Sequence, residues 1–291
     1  MIRKKKRSIL ILSLVLISGI VLTGYYYYTS LFLTVSYYTV RENVSAPIRI
    51  VQLTDLHNRE FGEDNCELVQ MVREQAPDII VMTGDMLNAD DKNTAVMTKL
   101  IESVSDIAPV YFGYGNHEVQ WEKRWKRSLA PLIYQSGAIP LNTTYWDMKI
   151  CGQKIRIGGY MGYYTKPHML STDKDRIAYE KRWADEFEDT DRLKILLNHI
   201  PTQWVDWNYY NTRKVDIIFS GHYHGGMIRI PLLERGLYAP YVGKFPKHVR
   251  GVFYGKNGLC ILSAGLGTEH NVPRINNPPE ITVTDILPAD R

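Results

Sequence analysis

Five short apolar segments of this 291-residue chain each run directly into side chains that can bind metal ions. The side chains are Asp, His and Asn, which offer the oxygen and nitrogen ligands that Mn, Fe, Zn and Co accept. Each motif alone is common by chance, so only the ordered series points to chemistry. The series is Asp55-Leu56-His57, Gly84-Asp85, Gly115-Asn116-His117-Glu118, His199, and Gly221-His222-Tyr223-His224.

Each motif follows a segment whose length and composition predict a buried β-strand. Helix-like stretches separate several of these segments, and the alternation predicts an α/β fold with a parallel or mixed sheet covered by helices. Ligands of such sheets bind beyond the carboxyl ends of the strands, so we expect the five motifs to share one edge. The predicted strands are 48–53, 78–82, 109–114, 193–197 and 215–219, with helices near 64–75 and 92–105. A hairpin that turns at Cys151-Gly152 and a β-rich tail over 253–286 complete the prediction.

The order of the five motifs resembles the calcineurin-like metallophosphoesterase superfamily, over nearly everything after the N-terminal segment. Residues 221–227 and 265–283 are similar to a membrane-anchored bacterial branch of that superfamily. The resemblance implies an α/β fold in four layers, a sandwich of two mixed β-sheets flanked by helices.

The resemblance also implies two divalent metal ions, of Mn, Fe, Zn or Co. One ion would take Asp55, His57 and His224, the other Asn116, His199 and His222, and both would share Asp85. Two such ions can acidify a water molecule and clamp phosphoryl oxygens. The neighbouring His117 would then act as the general acid that protonates the leaving oxygen.

Two positions depart from the patterns of some relatives. Some carry an acid three residues after the shared Asp to orient the catalytic His, and this chain has Asn88 there. We expect Asp90 or Glu118 to take over, or the histidine to be oriented otherwise. Relatives that act on phosphoproteins have Arg immediately before G-N-H-E, and Tyr114 at that place disfavours a protein phosphatase.

The N-terminus has the pattern of a membrane segment. Residues 1–7 hold five basic side chains, and an apolar run of about 25 residues follows, enough to cross a bilayer. The tyrosines at 25–28 suit a membrane interface, and the basic cluster favours a cytoplasmic N-terminus with the catalytic domain outside the cytoplasm. A cleaved signal peptide is the alternative, but no small-x-small site follows the run. The predicted domains are an anchor, 1–35, and a metallophosphoesterase domain, 44–291.

Composition excludes several other classes of protein. The net charge is +4, but without the five basic residues of positions 1–7 the chain has 30 basic and 31 acidic residues, a net of −1. Such a body has no cationic field for nucleic acid. The cysteines, Cys66, Cys151 and Cys260, form no C-x-x-C pair and indicate neither a disulfide framework nor a cysteine-rich zinc site.

The expected function is therefore hydrolysis of a phosphomonoester, phosphodiester or pyrophosphate, with a lipid-linked substrate favoured by the tether. Alternatives are a nuclease or nucleotide phosphodiesterase, a non-catalytic metal-binding envelope protein, or a structural zinc protein. No protein partner is predicted.

Three further segments carry weaker expectations. The basic, aromatic stretch 121–127 is either a headgroup-binding helix or an ordinary amphipathic one. The loop 231–253 either walls the substrate pocket or only packs, and Arg274 either holds phosphate or pairs structurally. The remaining histidines, His168, His248 and His270, are expected not to be ligands.

Overall fold

The computed structural model describes residues 2–161, 174–207, 213–230, 235–240, 242–268 and 272–289. Within these residues, the helices are α1 (Ile2–Leu31), α2 (Cys66–Glu74), α3 (Ala95–Ser105), α4 (Asn116–Trp125), α5 (Ala130–Gln135), α6 (Lys174–Glu188) and α7 (Thr202–Val205). The strands are β1 (Thr34–Glu42), β2 (Ile48–Leu53), β3 (Ile79–Met82), β4 (Val110–Gly113), β5 (Ala138–Leu141), β6 (Thr144–Ile150), β7 (Gln153–Gly159), β8 (Leu193–Leu197), β9 (Ile217–Ser220), β10 (Arg229–Ile230), β11 (Arg235–Gly236), β12 (Tyr238–Ala239), β13 (Gly243–Lys244), β14 (Gly251–Tyr254), β15 (Leu259–Leu262) and β16 (Glu280–Pro288).

Two mixed sheets dominate the described part of the chain. The first has the order β1-β16-β2-β3-β4-β5, with β2 to β5 parallel and β16 antiparallel to β2. The second has the order β14-β15-β9-β8-β7-β6, with β15, β9, β8 and β7 parallel and the two outer strands antiparallel to their neighbours. Parallel neighbours align the carboxyl ends of β2, β3 and β4 at one edge, and those of β8 and β9 likewise.

The hydrophobic clusters show how these elements are layered. One cluster joins the inner faces of the two sheets, through residues such as Ile50, Val81, Ile195 and Phe219. A second packs the outer face of the first sheet against α2, α3, α4 and α5. A third packs the outer face of the second sheet against α6 and α7. The predicted four-layer sandwich of two mixed sheets flanked by helices is therefore confirmed.

The segments before the metal motifs fold as strands because their side chains are buried on both faces, as in parallel sheets covered by helices. Strands β2 and β8 have the predicted bounds, and β3, β4 and β9 differ from the prediction by one or two residues at their ends. The hairpin of β6 and β7 turns at Cys151-Gly152 as expected. Strand β1, strand β5 as a member of the first sheet, and helix α6 were not predicted.

Helix α1 stands apart from the layers. Its segment Lys6–Tyr28 has a mean hydropathy of 2.2 and is 0% buried. A signal sequence or a membrane span has these properties. Only two residues, Phe32 and Leu33, separate the end of α1 from the start of β1. The domain boundaries 1–35 and 44–291 remain a prediction, and β1 begins inside the first range and ends before the second.

Candidate active site

The carboxyl ends of five strands, three from the first sheet and two from the second, deliver the eight predicted site residues to one place. All are buried except Asn116, which is half-buried. Strands β2, β3 and β4 of the first sheet precede Asp55, His57, Asp85, Asn116 and His117. Strands β8 and β9 of the second sheet precede His199, His222 and His224.

Their ligand atoms form three overlapping groups, each with all atoms within 4.8 Å of one another. The groups are Asp55, His57 and His224; His57, Asp85 and His117; and Asp85, His199 and His222. Asp85 belongs to two of them: its Oδ2 lies 2.9 Å from His199 Nε2 and 4.0 Å from His57 Nε2. These clustered Asp and His side chains could bind metal ions.

Hydrogen bonds fix the orientation of three of the imidazole rings through the nitrogen that faces away from the cluster. His199 Nδ1 lies 2.7 Å from Thr83 O, His57 Nδ1 lies 2.9 Å from Asn88 Oδ1, and His224 Nδ1 lies 3.4 Å from Gly267 O. Oxygen acceptors at these distances favour the tautomer with the proton on Nδ1. In the neutral form of each ring, Nε2 is then left with a lone pair for a metal, as in metal-bound histidines.

The backbone at the cluster is strained. Asp55, His57, Asp85, His222 and His224 all have positive φ, between 46° and 71°. Such left-handed conformations are unfavourable for residues with a Cβ and concentrate at functional sites. Here they are held by long-range hydrogen bonds, such as Asp55 N–H to Gly84 O at 3.0 Å and His57 N–H to Asp85 O at 3.1 Å. These left-handed conformations turn the side chains toward the cluster directly after each strand ends.

The buried charges of the cluster shift the pKa values of Asp55, Asp85 and His199. Burial raises the pKa of Asp55 to about 6, although the nearby His199 opposes the rise. Burial also acts to raise the pKa of Asp85, but the charge and hydrogen bond of His199 outweigh it and hold that pKa well below its ordinary value. Burial acts to lower the pKa of His199, and the Asp85 carboxylate raises it to about 9 instead. The proton on His199 thus compensates a buried carboxylate, which is the role a divalent cation would take over.

Asn116 offers a test of whether a metal fits the cluster. Its Oδ1 is buried and has no hydrogen-bond partner among the described residues. Asn116 precedes His117, whose backbone N–H donates to Asp85 Oδ1 at 2.8 Å, so the backbone next to Asn116 lies beside the Asp85 carboxylate. A buried amide oxygen without a donor costs about 1–3 kcal/mol, and a cation would remove this cost. The donor set therefore fits a metal centre.

The orientation of His117 follows the third expected alternative, in which neither Asp90 nor Glu118 orients the ring. The Nδ1 of His117 accepts the backbone N–H of Ala89 at 3.1 Å. Asp90 is exposed. The Glu118 carboxylate instead accepts the backbone N–H groups of Asp85, Met86 and Gly115 at 2.7–2.9 Å. Neither acid therefore replaces the missing one, and a backbone amide orients the ring.

Asn88 has a different task from the acid that it replaces. Its Oδ1 faces His57 Nδ1, and its Nδ2 donates to His57 O at 3.0 Å. The amide thus grips the ring and the backbone of a predicted ligand rather than those of His117. Hydrogen bonds of this kind depend on loop geometry, so the sequence alone gave no signal for them.

Arg274 is buried, with an exposed fraction of 1%, and stabilises the loop 264–267 beside the site. Its Nε and Nη2 donate to Gly267 O at 3.0 and 2.6 Å, and Nη2 also donates to Ala264 O at 2.7 Å. The braced loop bonds back to the site, because Leu266 N–H donates to Thr54 O at 3.0 Å. This is the structural pairing that the sequence left open.

The other weaker candidates do not belong to the three ligand groups of the described residues. Trp121 is buried and donates through Nε1 to Asp91 O at 2.9 Å, while the basic residues of 121–127 are exposed. This is the arrangement of an ordinary amphipathic helix. His248 faces Asp206 at 3.2 Å. His168 and His270 lie outside the described residues.

Four packed layers with a strand-end cluster of Asp and His define a metal-dependent hydrolase of the α/β class. Residues 48–226, more than half of the chain, match the model of the calcineurin-like phosphoesterase family. The chain therefore belongs to this family and is a metal-dependent phosphoric ester hydrolase.

Relatives from several bacteria are similar over most of their length. The metallophosphoesterase YkoQ of Bacillus subtilis is 24% identical over 244 residues, 82% of this chain and 83% of the relative. The phosphodiesterase YaeI of Escherichia coli is 21% identical over 254 residues, 84% of this chain and 83% of the relative. Among solved structures, a 5'-nucleotidase precursor from Thermus thermophilus is 11% identical, with a TM-score of 0.48 over 83% of this chain and 54% of that one.

Proposed function

We propose that this protein is a dinuclear metal-dependent phosphoesterase that hydrolyses the phosphodiester, phosphomonoester or pyrophosphate bond of a lipid-linked substrate at a bilayer surface. The observation that carries the lipid assignment is a contact between α1 and the site. Tyr25, in the last turns of α1, hydrogen-bonds through its hydroxyl to Asn276 Oδ1. The adjacent Asn277 donates to His224 O at 2.7 Å. Tyr25 therefore contacts the residue directly before Asn277, and the Asn277 side chain bonds to the backbone of the predicted ligand His224.

Seven side chains would hold the metals. Asp55, His57 and His224 would bind one ion, Asn116, His199 and His222 the other, and Asp85 both. Nitrogen and oxygen donors of this kind suit Mn, Fe, Zn or Co. Bound at this site, the pair of cations would supply an acidified water and neutralise the charge that develops on the phosphoryl group.

His117 would supply the proton for the leaving oxygen. Because Ala89 N–H donates to its Nδ1, the neutral ring carries its proton on Nε2. His57 packs edge-on against the ring with centroids 4.6 Å apart, which limits its rotation. An Nε2–H fixed next to the metal cluster can hydrogen-bond to the leaving oxygen, and transfer of the proton to that oxygen would require the imidazolium form of the ring.

The nature of the bond is supported by a relative, since YaeI is named a phosphodiesterase. A diester between a lipid and a polar headgroup would place its apolar part in the bilayer and its phosphate near the surface. A membrane-spanning α1 with its basic start in the cytoplasm would place the site outside the cytoplasm. A soluble nucleotide diester is the second candidate, since the site chemistry alone does not distinguish it.

The test of the chemistry uses the full chain in detergent with Mn and two reporters, p-nitrophenyl phosphate and bis-p-nitrophenyl phosphate. Asp85→Asn and His117→Ala should each lower turnover at least about a hundredfold, the scale of a lost general acid. Asp64→Asn is the matched control, because Asp64 is exposed and pairs with the exposed Lys99 at 2.6 Å. Turnover that persists in EDTA, or in both site variants, would refute the metal mechanism.

The test of the substrate compares one phosphodiester headgroup in two forms, embedded in vesicles and attached to a short soluble chain. The full chain reconstituted in the same vesicles should prefer the embedded form. Fast turnover of the soluble form with no turnover of the embedded one would leave a phosphoesterase but reject the lipid-linked substrate.

A further inference from the structure

The segment 235–250 exposes an unusual group of large apolar side chains. Leu237, Tyr238, Val242 and Phe245 have exposed fractions of 39%, 48%, 36% and 50%. All four lie in or directly beside the hairpin of β12 and β13, which we call the surface hairpin. Single exposed apolar residues are ordinary, but a cluster on one small hairpin marks a surface that contacts something apolar.

The backbone of the surface hairpin holds Phe245 and Leu237 in a fixed arrangement. Phe245 has a φ of 57°, a left-handed conformation that costs a residue with a Cβ about 1 kcal/mol or more. Its N–H donates to Leu237 O at 3.0 Å, which holds the two side chains in one unit. Ala239, between the exposed residues, is fully buried and fixes the hairpin to the body.

The charge of this segment has a single sign. Residues 235–250 contain four basic side chains and no Asp or Glu. Arg235, Lys244 and Lys247 are exposed, and Arg250 is half-buried. The rest of the chain after residue 7 therefore carries 26 basic and 31 acidic residues, so this cationic, apolar surface is a local feature. Exposed cations beside apolar side chains suit an anionic lipid surface, at about 1 kcal/mol for each cation.

The surface hairpin also lies next to the end of α1. Asn276, which accepts the Tyr25 hydroxyl, donates through Nδ2 to Arg229 O at 3.2 Å. Arg229 pairs with Gly236 in the β10–β11 ladder, and Leu237 follows directly. On the other side, Arg250 Nη1 and Ser36 Oγ both bond to Glu280 Oε2, at 3.0 and 2.6 Å. Ser36 lies five residues after α1, so both ends of segment 235–250 are tied to the exit of this helix.

We propose that the surface hairpin inserts Leu237, Tyr238, Val242 and Phe245 into the headgroup region of the bilayer that α1 crosses. This inference rests on the proposed membrane anchoring. Leu237 N–H donates to Gly226 O at 3.1 Å. Gly226 lies two residues after the predicted ligand His224. The hairpin would therefore hold the rim of the site against the lipid surface, where a lipid headgroup can enter without leaving the bilayer.

The experiment places a fluorescent reporter at the hairpin of the full chain. Cys66→Ser and Cys151→Ser remove the two exposed cysteines, and Cys260 is buried. Phe245→Cys is then labelled with an environment-sensitive nitrobenzoxadiazole dye and reconstituted in vesicles of phosphatidylcholine and phosphatidylglycerol. Nitroxide-labelled lipids should quench the dye by about twofold or more, as expected of a group held 5–10 Å deep in the interface.

Two control positions make the outcome decisive. Trp146→Cys has a similar exposed fraction, 51%, on the opposite edge strand of the second sheet from β14. Strand β6 lies about 24 Å from β14, across five strand spacings, and position 146 should not be quenched. Val15→Cys, in the middle of α1, reports the anchor itself.

Quenching at positions 15 and 245 but not at 146 supports the proposal. Quenching at 15 without quenching at 245 overturns it and leaves the anchor in place. No quenching at 15 removes the anchor and the proposal together, while turnover of the p-nitrophenyl esters by the same samples still reports the phosphoesterase chemistry.

Discussion

Glu118 supports the site by hydrogen-bonding to backbone N–H groups, rather than to the side chain of a predicted ligand. It is fully buried, and its carboxylate accepts three backbone N–H groups, one of them from Gly115 at the start of α4. This is the reciprocal half of a capping box, and it also fixes the backbone of Asp85. Position 118 therefore joins the ends of β3 and β4.

Replacing this carboxylate tests that role. In Glu118→Gln, the side-chain NH₂ would face a backbone N–H donor and leave at least one amide unsatisfied. We expect a loss of about 2–3 kcal/mol in the free energy of unfolding, the scale of a buried charged hydrogen bond. Urea unfolding of the metal-free protein measures it.

The control for this change is Glu122→Gln on the same helix. Glu122 accepts Leu129 N–H at 2.7 Å, Ser128 Oγ and the Tyr114 hydroxyl through Oε1 alone, so an amide oxygen can serve in its place. An equal loss in both variants would contradict the specific role of Glu118.

The sequence predicted the side chains of the cluster better than their supports. Asp, His and Asn directly after apolar strands are local signals, because the strand determines where the next residues lie. The hydrogen bonds from Ala89 to His117 and from Asn277 to His224 join residues that are 28 and 53 positions apart in the chain. No spacing rule indicates such contacts, since they depend on how the loops meet.

At the scale of elements, the ends of β3 and β4 approach each other closely. A Cβ on Gly115 would lie 2.2 Å from Asp85 Oδ1 and 2.6 Å from Asp85 N. The φ of Gly115 is −98°, which any residue can adopt, so space alone requires glycine here. The approach lets α4 begin directly beside the Asp85 carboxylate.

Gly115→Ala should therefore disturb the metal site more than the fold. We expect metal affinity to fall by at least about tenfold, as for other changes in the surroundings of metal ligands. Isothermal titration with Mn measures the affinity.

Gly152→Ala is the control for the glycine change. Its Cβ would meet only Ser45 Oγ at 3.9 Å, and its φ of 81° adds backbone strain far from the site. It should lower stability by about 1 kcal/mol and leave Mn affinity unchanged. Equal Mn affinities in the two variants would contradict the crowding argument.

The contact between the two sheets near Glu42 predicts a pH dependence of stability. Burial, and then the like charge of Asp216, raise the pKa of Glu42 from 4.5 to about 7, while Lys194 opposes them. The folded state holds this proton more tightly than the unfolded state does. Glu42 therefore disfavours folding progressively as the pH rises from 4.5 to 7, and fully above 7.

Glu42→Gln should remove that penalty. The variant should equal the parent near pH 4 and exceed it above pH 7 by about 1 kcal/mol, a value reduced for solvent screening of a half-exposed group. Thermal unfolding across this range tests the prediction, with the exposed Glu60→Gln as control. A difference that does not change with pH would refute it.

The strands before the motifs were predictable because they are buried on both faces and read as continuous apolar runs. Strand β1 was not predictable, because its burial pattern is irregular and it follows the apolar run of α1 without a turn signal. It is stabilised by β16, with which it pairs in parallel from Thr34↔Glu280 to Glu42↔Pro288. Such a partner lies over 200 residues away and cannot be read from local composition.

At the scale of the whole molecule, β1 determines where a soluble form must begin. A chain of residues 33–291 keeps the edge strand, whereas residues 44–291 lose all nine of its residues. The shorter chain exposes the backbone of β16 as a new sheet edge, which promotes aggregation. We expect it to unfold at a lower temperature and to elute as oligomers in size-exclusion chromatography. Monomers of equal stability would show that β1 is dispensable.

The two-residue connection between α1 and β1 has a kinetic consequence. If α1 spans a bilayer and the substrate is lipid-linked, as proposed above, the body stays at the surface and the search for substrate takes place in two dimensions. The turnover rate should then follow the number of substrate molecules per unit area of membrane. Dilution of vesicles at constant lipid composition should leave the rate per enzyme unchanged, whereas dilution of the substrate within the bilayer should lower it.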